Sequence, residues 1–214
     1  MFDSIAALMH QGGIVMYPML LASVVCVAVV LERLYFYMRL ETGGDRFRAR
    51  LLVLLREGKR REALDWLKSL RGPVPAMAAE GIEEWDDGLA AAEAAMASRA
   101  RREVPHLRRY LGILDTTYSG APLVGLLGTI TGMMGTFRVV ALHLSKDPQA
   151  DTSGITMGIG EALTATATGI SIAVVCLVFY NMFQEWQEGQ MDACEAVAAD
   201  ILEVIAESTS RTKA

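Results

Sequence analysis

The stretch ALTATATGISIAVVCLVFYNMFQ, residues 162–184, contains no Asp, Glu, Lys or Arg. Residues 4–31 and 116–137 are two further windows without these charges. Each window is at least as long as the roughly 20 apolar residues that a helix needs to cross the hydrocarbon core of a bilayer. Soluble proteins of this size rarely contain even one such run. The sequence therefore predicts three transmembrane helices, at about residues 14–38, 119–142 and 155–183.

The charged remainder of the chain has the spacing of amphipathic helices. In residues 39–118 and in the tail 184–214, apolar side chains recur at three- and four-residue intervals. These side chains are Phe47, Leu51, Leu54 and Leu55, then Leu64, Leu67 and Leu70, and in the tail Ala193, Val197, Ile201 and Val204. We expect the helix that begins after Gly88 to run directly into the second span, and the third span to continue into the tail.

These patterns predict an all-α integral membrane protein with three transmembrane helices, two of which extend into a cytoplasmic helical bundle. Seven segments follow from this division. They are an N-terminal interfacial segment (1–13), the first span (14–38), a cytoplasmic helical region (39–118), the second span (119–142), a short periplasmic loop (143–154), the third span (155–183) and a cytoplasmic C-terminal helix (184–214).

Basic residues predict the orientation of these segments. Sixteen of the 20 lysines and arginines lie between Arg33 and Arg109, whereas the loop after the second span holds only Lys146. Because cytoplasmic connections carry an excess of Lys and Arg, the long connection is predicted to be cytoplasmic. The N-terminus is then periplasmic and the C-terminus cytoplasmic.

The composition argues against several classes of function. A net charge of -5 with no dominant basic face argues against nucleic-acid binding. The cysteines and histidines have no metal-ligand spacing, and no nucleophile lies beside a base. They are Cys26, Cys176, Cys194, His10, His106 and His143. We therefore expect no catalytic residue, no metal and no cofactor, and do not expect an enzyme.

The second span is rich in small residues. At 100° per residue, one narrow sector of its helix holds Pro122, Gly125, Thr129, Gly132 and Thr136. Gly128 and Gly132 also form a GxxxG step, which allows close helix approach in membranes. The stripe is either a contact between helices within one subunit or a surface that faces a pore.

Glu161 stands at the head of the third charge-free window. A charged side chain inside a span costs about 2.5–3.5 kcal/mol on insertion scales and usually faces a bundle interior or a water-filled cavity. On an ideal helix Glu161 shares a face with Thr164, Ala165 and Thr168, while Thr166 points about 140° away. Glu161 is therefore a candidate for the ion pathway. The alternative is an interfacial glutamate that only contacts lipid headgroups.

The sequence resembles a known family at these same positions. Residues 121–137, APLVGLLGTITGMMGTF, and 158–170, GIGEALTATATGI, look like the paired signatures of the MotA/TolQ/ExbB proton-channel family. Residues 12–36, GGIVMYPMLLASVVCVAVVLERLYF, are similar to the first span of its ExbB and TolQ members. A fourth span, expected of flagellar MotA proteins, is missing, so the resemblance favours the ExbB/TolQ branch.

The resemblance implies a stator-type subunit of a motor driven by the proton-motive force in the bacterial inner membrane. It implies a homopentamer around a dimer of an ExbD- or TolR-like single-span partner, with a TonB- or TolA-like envelope protein receiving the mechanical work. The family's functional positions fall on Glu161, Thr129, Thr166 and, as a kink, Pro122. Glu161, Thr129, Thr164 and Thr168 would form a ring around a carboxylate of the partner, and Thr166 is also expected on the ion pathway or facing the partner.

Several alternatives stay open from sequence. The chain could be a structural membrane scaffold, a gliding-motility stator of the same family, or a channel that conducts without a partner. Threonine oxygens could coordinate sodium instead of relaying protons. Uptake, outer-membrane maintenance and surface motility all remain candidates for the process that the motor would power.

Overall fold

A computed structural model describes residues 13–40, 43–144 and 153–213. Most of the expected interfacial segment 1–13 and of the expected periplasmic loop 143–154 lies outside these residues. The described residues form helices and no strand. The helices are α1 Met16–Tyr37, α2 Asp45–Arg56, α3 Arg60–Ser69, α4 Pro73–Glu83, α5 Leu89–Arg108, α6 Leu111–Leu144 and α7 Ser153–Lys213, with a short 3-10 turn at Trp85–Asp87. The protein is all-α, as predicted.

Within the described ranges, three helices contain stretches that are long and apolar enough to cross a membrane. They are Met16–Tyr37, Leu111–Arg138 and Thr156–Ser210. The chain divides into two compact units, one of Met1–Leu31 with Tyr110–Asn181 and one of Glu32–Arg109 with Met182–Ala214. We call the first the membrane unit and the second the bundle unit, and each is described by itself.

In the membrane unit, α6 and α7 approach through small residues. A Cβ atom added to Gly128 would lie 2.6 Å from the Cβ of Ala165, and one added to Gly132 would lie 3.1 Å from the Cβ of Ala162. Such distances leave no room for a larger side chain, so glycine sets the spacing of the two helices. The first span contributes Met19, whose Cε would lie 3.2 Å from a Cβ added to Gly169.

The bundle unit has its own apolar core. The predicted inward faces are largely confirmed. Phe47, Leu51, Leu54 and Leu55 of α2 and Val197, Ile201 and Val204 of α7 are buried together, whereas the predicted Leu64, Leu70 and Ala193 are half-buried against this core. Ala63 and Leu67 of α3, Val74, Met77 and Ala78 of α4, and Ala92 and Met96 of α5 complete this core. Burial of these side chains, at about 25 cal/mol per Å² of apolar surface, holds the short helices against α7.

An ion pair also joins α2 to α7 in the bundle unit. Arg48 donates from Nε to Asp200 Oδ2 at 2.7 Å and from Nη2 to Oδ1 at 2.9 Å. This two-point geometry is the strong form of the arginine–carboxylate contact. The hydrogen bond to Asp200 raises the pKa of the Arg48 guanidinium above its ordinary value.

Gly58 lies just after the end of one short helix, and Pro73 begins another. Gly58 follows α2 with φ +74, a backbone conformation that favours glycine, and its N–H donates to the Leu55 carbonyl at 3.0 Å. The next N–H, of Lys59, donates to the Leu54 carbonyl at 2.9 Å. Pro73 begins α4, where its missing N–H costs no helical hydrogen bond.

The prediction that α5 runs directly into the second span is wrong, because the helix is interrupted between them. Helix α5 ends at Arg108 and α6 begins at Leu111. Between them Tyr110 has φ +64, an uncommon left-handed conformation for a residue with a side chain. The expectation that the third span continues into the tail is confirmed, because α7 is a single helix of 61 residues.

Side chains of α1 account for the end of α5. Arg33 donates from Nη1 to the carbonyl of His106 at 3.1 Å, and the Tyr37 hydroxyl donates to the carbonyl of Leu107 at 3.1 Å. In a continuing helix these carbonyls would accept from the N–H groups four residues later. The two side chains give the carbonyls of the last turn of α5 hydrogen-bond partners, so the end of this helix is stabilised.

Candidate functional site

The Glu161 side chain packs against the backbone that precedes the first span. It is half-buried on α7, and a Cβ added to Gly13 would overlap its Oε1 atom. Gly13 has φ +66, which also favours glycine. The absence of a side chain at position 13 therefore leaves the space that the carboxylate occupies.

A cavity of about 480 Å³ lies in the membrane unit beside this contact. Glu161 lines it together with Thr131 and Thr136 of α6, Met157 of α7 and small residues of both helices. Among the described residues that line it, Glu161 is the only one with an ionisable side chain. A carboxylate in a cavity with hydroxyl groups can attract a cation or exchange a proton with water.

The hydroxyl groups of the two threonines in the cavity each donate a hydrogen bond within their own helix. The Thr131 hydroxyl donates to the Leu127 carbonyl at 3.0 Å, and the Thr136 hydroxyl donates to the Gly132 carbonyl at 3.0 Å. A hydroxyl that donates its hydrogen within the helix still has lone pairs that accept hydrogen bonds. In this arrangement the threonines serve as acceptors toward water or a cation.

The predicted residues Thr129, Thr164 and Thr168 are half-buried and do not line this cavity. Each hydroxyl donates within its own helix. The acceptors are the carbonyls of Leu126 at 2.7 Å, Gly160 at 2.8 Å and Thr164 at 2.8 Å, respectively. Their oxygen atoms likewise keep acceptor capacity, on parts of α6 and α7 outside the cavity.

Thr166 instead joins α7 to α6. Its hydroxyl donates to the Gly125 carbonyl at 3.1 Å, and its Cα would lie 3.1 Å from a Cβ added to Gly125. This contact lies within one chain and explains why Thr166 points away from Glu161. The structure therefore brings Thr166 to the helix–helix contact rather than beside the acid.

The predicted packing residues lie along the same side of α6. Gly125, Gly128 and Gly132 all face α7, while Pro122 is half-buried inside the helix. Thr136 is buried at the end of the stripe, and a Cβ added to Gly158 would overlap its hydroxyl oxygen. Most of the small-residue stripe is thus occupied by the chain's own third span.

Sequence reasoning did not select Gly13, Thr131 or Thr136 as site residues. Thr136 falls in the small-residue stripe of the second span, so periodicity gave a signal for it. Thr131 lies outside that sector and gave none. Gly13 stands before the first span, and only the folded chain brings it to the acid 148 positions later.

Comparisons with known proteins agree with these helices and their motifs. The model of the MotA/TolQ/ExbB proton channel family matches residues 70–196. The protein ExbB-like 3 of Synechocystis sp. is 34% identical over 179 residues, which cover 81% of this chain and 81% of that protein. ExbB-like 1 of the same organism is 30% identical over 193 residues, with coverage of 89% and 75%.

A TolQ protein is also similar over part of its length. The Tol-Pal system protein TolQ of Pseudomonas aeruginosa is 38% identical over 94 residues, which cover 44% of this chain and 39% of that protein. The family match covers more than half of the chain and includes both signature stretches, with Glu161 in the second. The chain therefore belongs to the MotA/TolQ/ExbB proton channel family, in its ExbB/TolQ-like branch.

Proposed function

We propose that the chain is the ring-forming subunit of a motor that the proton-motive force drives in the bacterial inner membrane. Several copies, five by resemblance to the family, would surround a dimer of an ExbD- or TolR-like single-span protein. Ion flow through this complex would do mechanical work on the cell envelope through a TonB- or TolA-like protein. The chain acts as a channel subunit in this account, without enzyme chemistry.

The observation that supports this proposal most is the placement of Glu161. The carboxylate stands at the head of 23 uncharged residues, is half-buried, and lines a cavity with two threonine hydroxyls. Such an acid is costly within a span and is usually found where ions or protons move. We infer that Glu161 faces the ion pathway, with Thr129, Thr164 and Thr168 as hydroxyl groups along it and Thr166 holding α7 to α6.

The mechanism follows from a change of charge. In the proposed ring a carboxylate of the partner takes up a proton and loses its charge. Electrostatic interactions are strong where the effective dielectric constant is low, so this change favours a different position of the partner relative to the ring. Hydroxyl oxygens solvate the carboxylate or water without adding charge. Sodium in place of the proton would use the same oxygens.

The packing of the glycine stripe favours the motor over a structural scaffold. Small residues let membrane helices approach closely, and a scaffold that assembled through this stripe would need its glycines to contact neighbouring subunits. Here Gly125, Gly128 and Gly132 face α7 of their own chain. The stripe therefore orders the three spans of one subunit, and the costly Glu161 has no role in such a scaffold.

The test is ion flux in vesicles with and without the partner. The full chain is reconstituted alone, and together with an ExbD- or TolR-like single-span protein, and proton entry under an imposed gradient is followed with a pH-sensitive dye. We expect flux only when both proteins are present. Flux from the chain alone would instead identify a self-sufficient channel, and no flux from an assembled complex would identify a scaffold.

A further inference from the structure

The bundle unit contains a cavity of about 580 Å³ beside the C-terminal end of α1. Its walls come from the end of α1, the turn before α4, and α5. Three arginines line it, namely Arg39, Arg71 and Arg99. Neither the proposed ion pathway nor the helix packing accounts for this concentration of guanidinium groups.

The two acids of this cavity are already paired. Glu32 accepts from Arg33 Nε at 2.5 Å and from Nη2 at 2.7 Å, and Glu103 accepts from Arg99 Nη2 at 2.8 Å. Within the described parts of the chain, Arg39 and Arg71 form no ion pair. The cavity therefore has an excess of positive charge.

One hydrogen-bond donor in the cavity wall lacks a partner. The Nε atom of Arg99 is buried and, among the described residues, has no acceptor within hydrogen-bond distance. Nearly all buried donors in folded proteins are satisfied, so such an atom indicates a missing acceptor. The atom has almost no exposed surface, so a ligand oxygen would reach it only if the Arg99 side chain turned toward the ligand.

Apart from His106, the rest of the wall is mainly apolar and aromatic. Tyr35, Phe36 and Leu40 line the cavity, and the Arg39 guanidinium lies 4.2 Å from the centre of the Tyr35 ring. Glu32 is the first charged residue after window 4–31, so these aromatic residues stand where a membrane span meets water. The cavity thus combines a cationic part with an apolar part.

We propose that this cavity binds the phosphate group of an anionic ligand. Arginine binds phosphate oxygens through two parallel N–H groups, and Arg39, Arg71 and Arg99 all line the cavity. A basic pocket beside a membrane span suits the headgroup of an anionic phospholipid, whose chains would contact the apolar wall. A soluble phosphate would present the same oxygens.

The test uses the purified full chain in dodecyl maltoside. Dioctanoyl phosphatidylglycerol, dioctanoyl phosphatidylcholine and inorganic phosphate are titrated separately, and binding is followed by native mass spectrometry and by the shift of Tm. The variant is Arg39→Gln with Arg71→Gln. The matched control is Arg46→Gln with Arg61→Gln, which removes the same charge from exposed positions outside the cavity.

We expect saturable binding of phosphatidylglycerol that becomes about 25-fold weaker in the cavity variant, because each arginine near a lipid surface contributes about five-fold. The control variant should bind as the unmodified chain does. Inorganic phosphate that binds as tightly as phosphatidylglycerol would support the phosphate site and identify a soluble source.

Equal binding of the choline and glycerol lipids, or unchanged affinity in the cavity variant, would overturn the proposal. Arg71→Gln alone serves if the double variant does not fold, since Arg71 is exposed in the turn before α4. It should still weaken binding of phosphatidylglycerol about five-fold. An unchanged affinity in this single variant would also overturn the proposal.

Discussion

At the scale of single residues, the contact between Gly13 and Glu161 makes a sharp prediction. Gly13→Ala places a methyl group on the carboxylate oxygen and puts a side chain at φ +66. We expect the free energy of unfolding to fall by about 1–2 kcal/mol from the backbone term alone. We also expect lower proton flux with the partner, because the carboxylate must move. Thermal unfolding in detergent and the vesicle assay measure the two effects.

The control for this change is Gly120→Ala. A Cβ added to Gly120 meets no atom within 4 Å, so the same addition has space on α6. This variant should keep the unmodified chain's Tm and flux. If Gly13→Ala behaved like Gly120→Ala in both assays, the contact between Gly13 and Glu161 would not matter.

A second prediction at this scale concerns Glu84 in the bundle unit. A hydrogen bond with Asp87, followed by burial and by repulsion from Asp87, Glu80 and Glu83, raises the pKa of Glu84 above its ordinary value of 4.5. The folded state therefore binds a proton more tightly than the unfolded state, and stability falls as pH rises through the raised pKa. Glu84→Gln should raise Tm at pH 8, since it removes the repulsion.

Measuring Tm over a range of pH distinguishes the repulsion at Glu84 from a stabilisation that does not depend on pH. The difference in Tm between Glu84→Gln and the unmodified chain should shrink as the pH falls, and should vanish below the ordinary pKa of 4.5, where Glu84 is protonated in both states. Glu93→Gln, at an exposed position of α5 with no ion pair to another described residue, should not show this trend. An advantage of Glu84→Gln that persisted unchanged at low pH would contradict the assignment.

At the scale of helices, the packing of α6 on α7 predicts a compensating pair of substitutions. Gly128→Ala puts a methyl group 2.6 Å from the Ala165 Cβ and should destabilise the chain by about 1–3 kcal/mol through overpacking. Ala165→Gly on α7 makes room for that methyl group. The double variant should therefore regain most of the lost Tm, as neighbouring sites couple. Additive losses in the double variant would contradict this packing.

The helices themselves could largely be predicted from sequence. The charge-free windows predicted the three spans, and the spacing of Phe47, Leu51 and Leu54 predicted the buried face of α2. The break at Tyr110 could not be predicted, because it depends on Arg33 and Tyr37 bonding to carbonyls of α5, more than 65 positions away. Local propensity favoured a continuous helix there, and tertiary contacts overrode it.

The candidate site was predictable only in part. Glu161 stood out because a charge within a span is costly. The cavity around it combines α6, α7 and the backbone before α1, so its members share no single periodic pattern. Thr131 and Gly13 were missed for this reason, and the direction of Thr166 became clear only from its bond to the Gly125 carbonyl.

At the scale of the whole molecule, the charge distribution predicts the orientation in the membrane. Sixteen of the 20 basic residues lie between Arg33 and Arg109, and that connection should be cytoplasmic. A fluorescent protein fused after Ala214 should fluoresce, and alkaline phosphatase inserted in loop 143–154 should be active. The reverse pair of results would contradict the predicted orientation.

The central claim is that the Glu161 charge is needed for ion flow and not for assembly. Glu161→Gln keeps the size of the side chain, and Glu203→Gln makes the same change at an exposed position of the bundle unit. The most direct measurement is proton flux into vesicles that contain the chain and its single-span partner at matched amounts of assembled complex. We expect Glu203→Gln to conduct normally and Glu161→Gln to fall to the level of partner-free vesicles. Normal flux from Glu161→Gln would contradict the account.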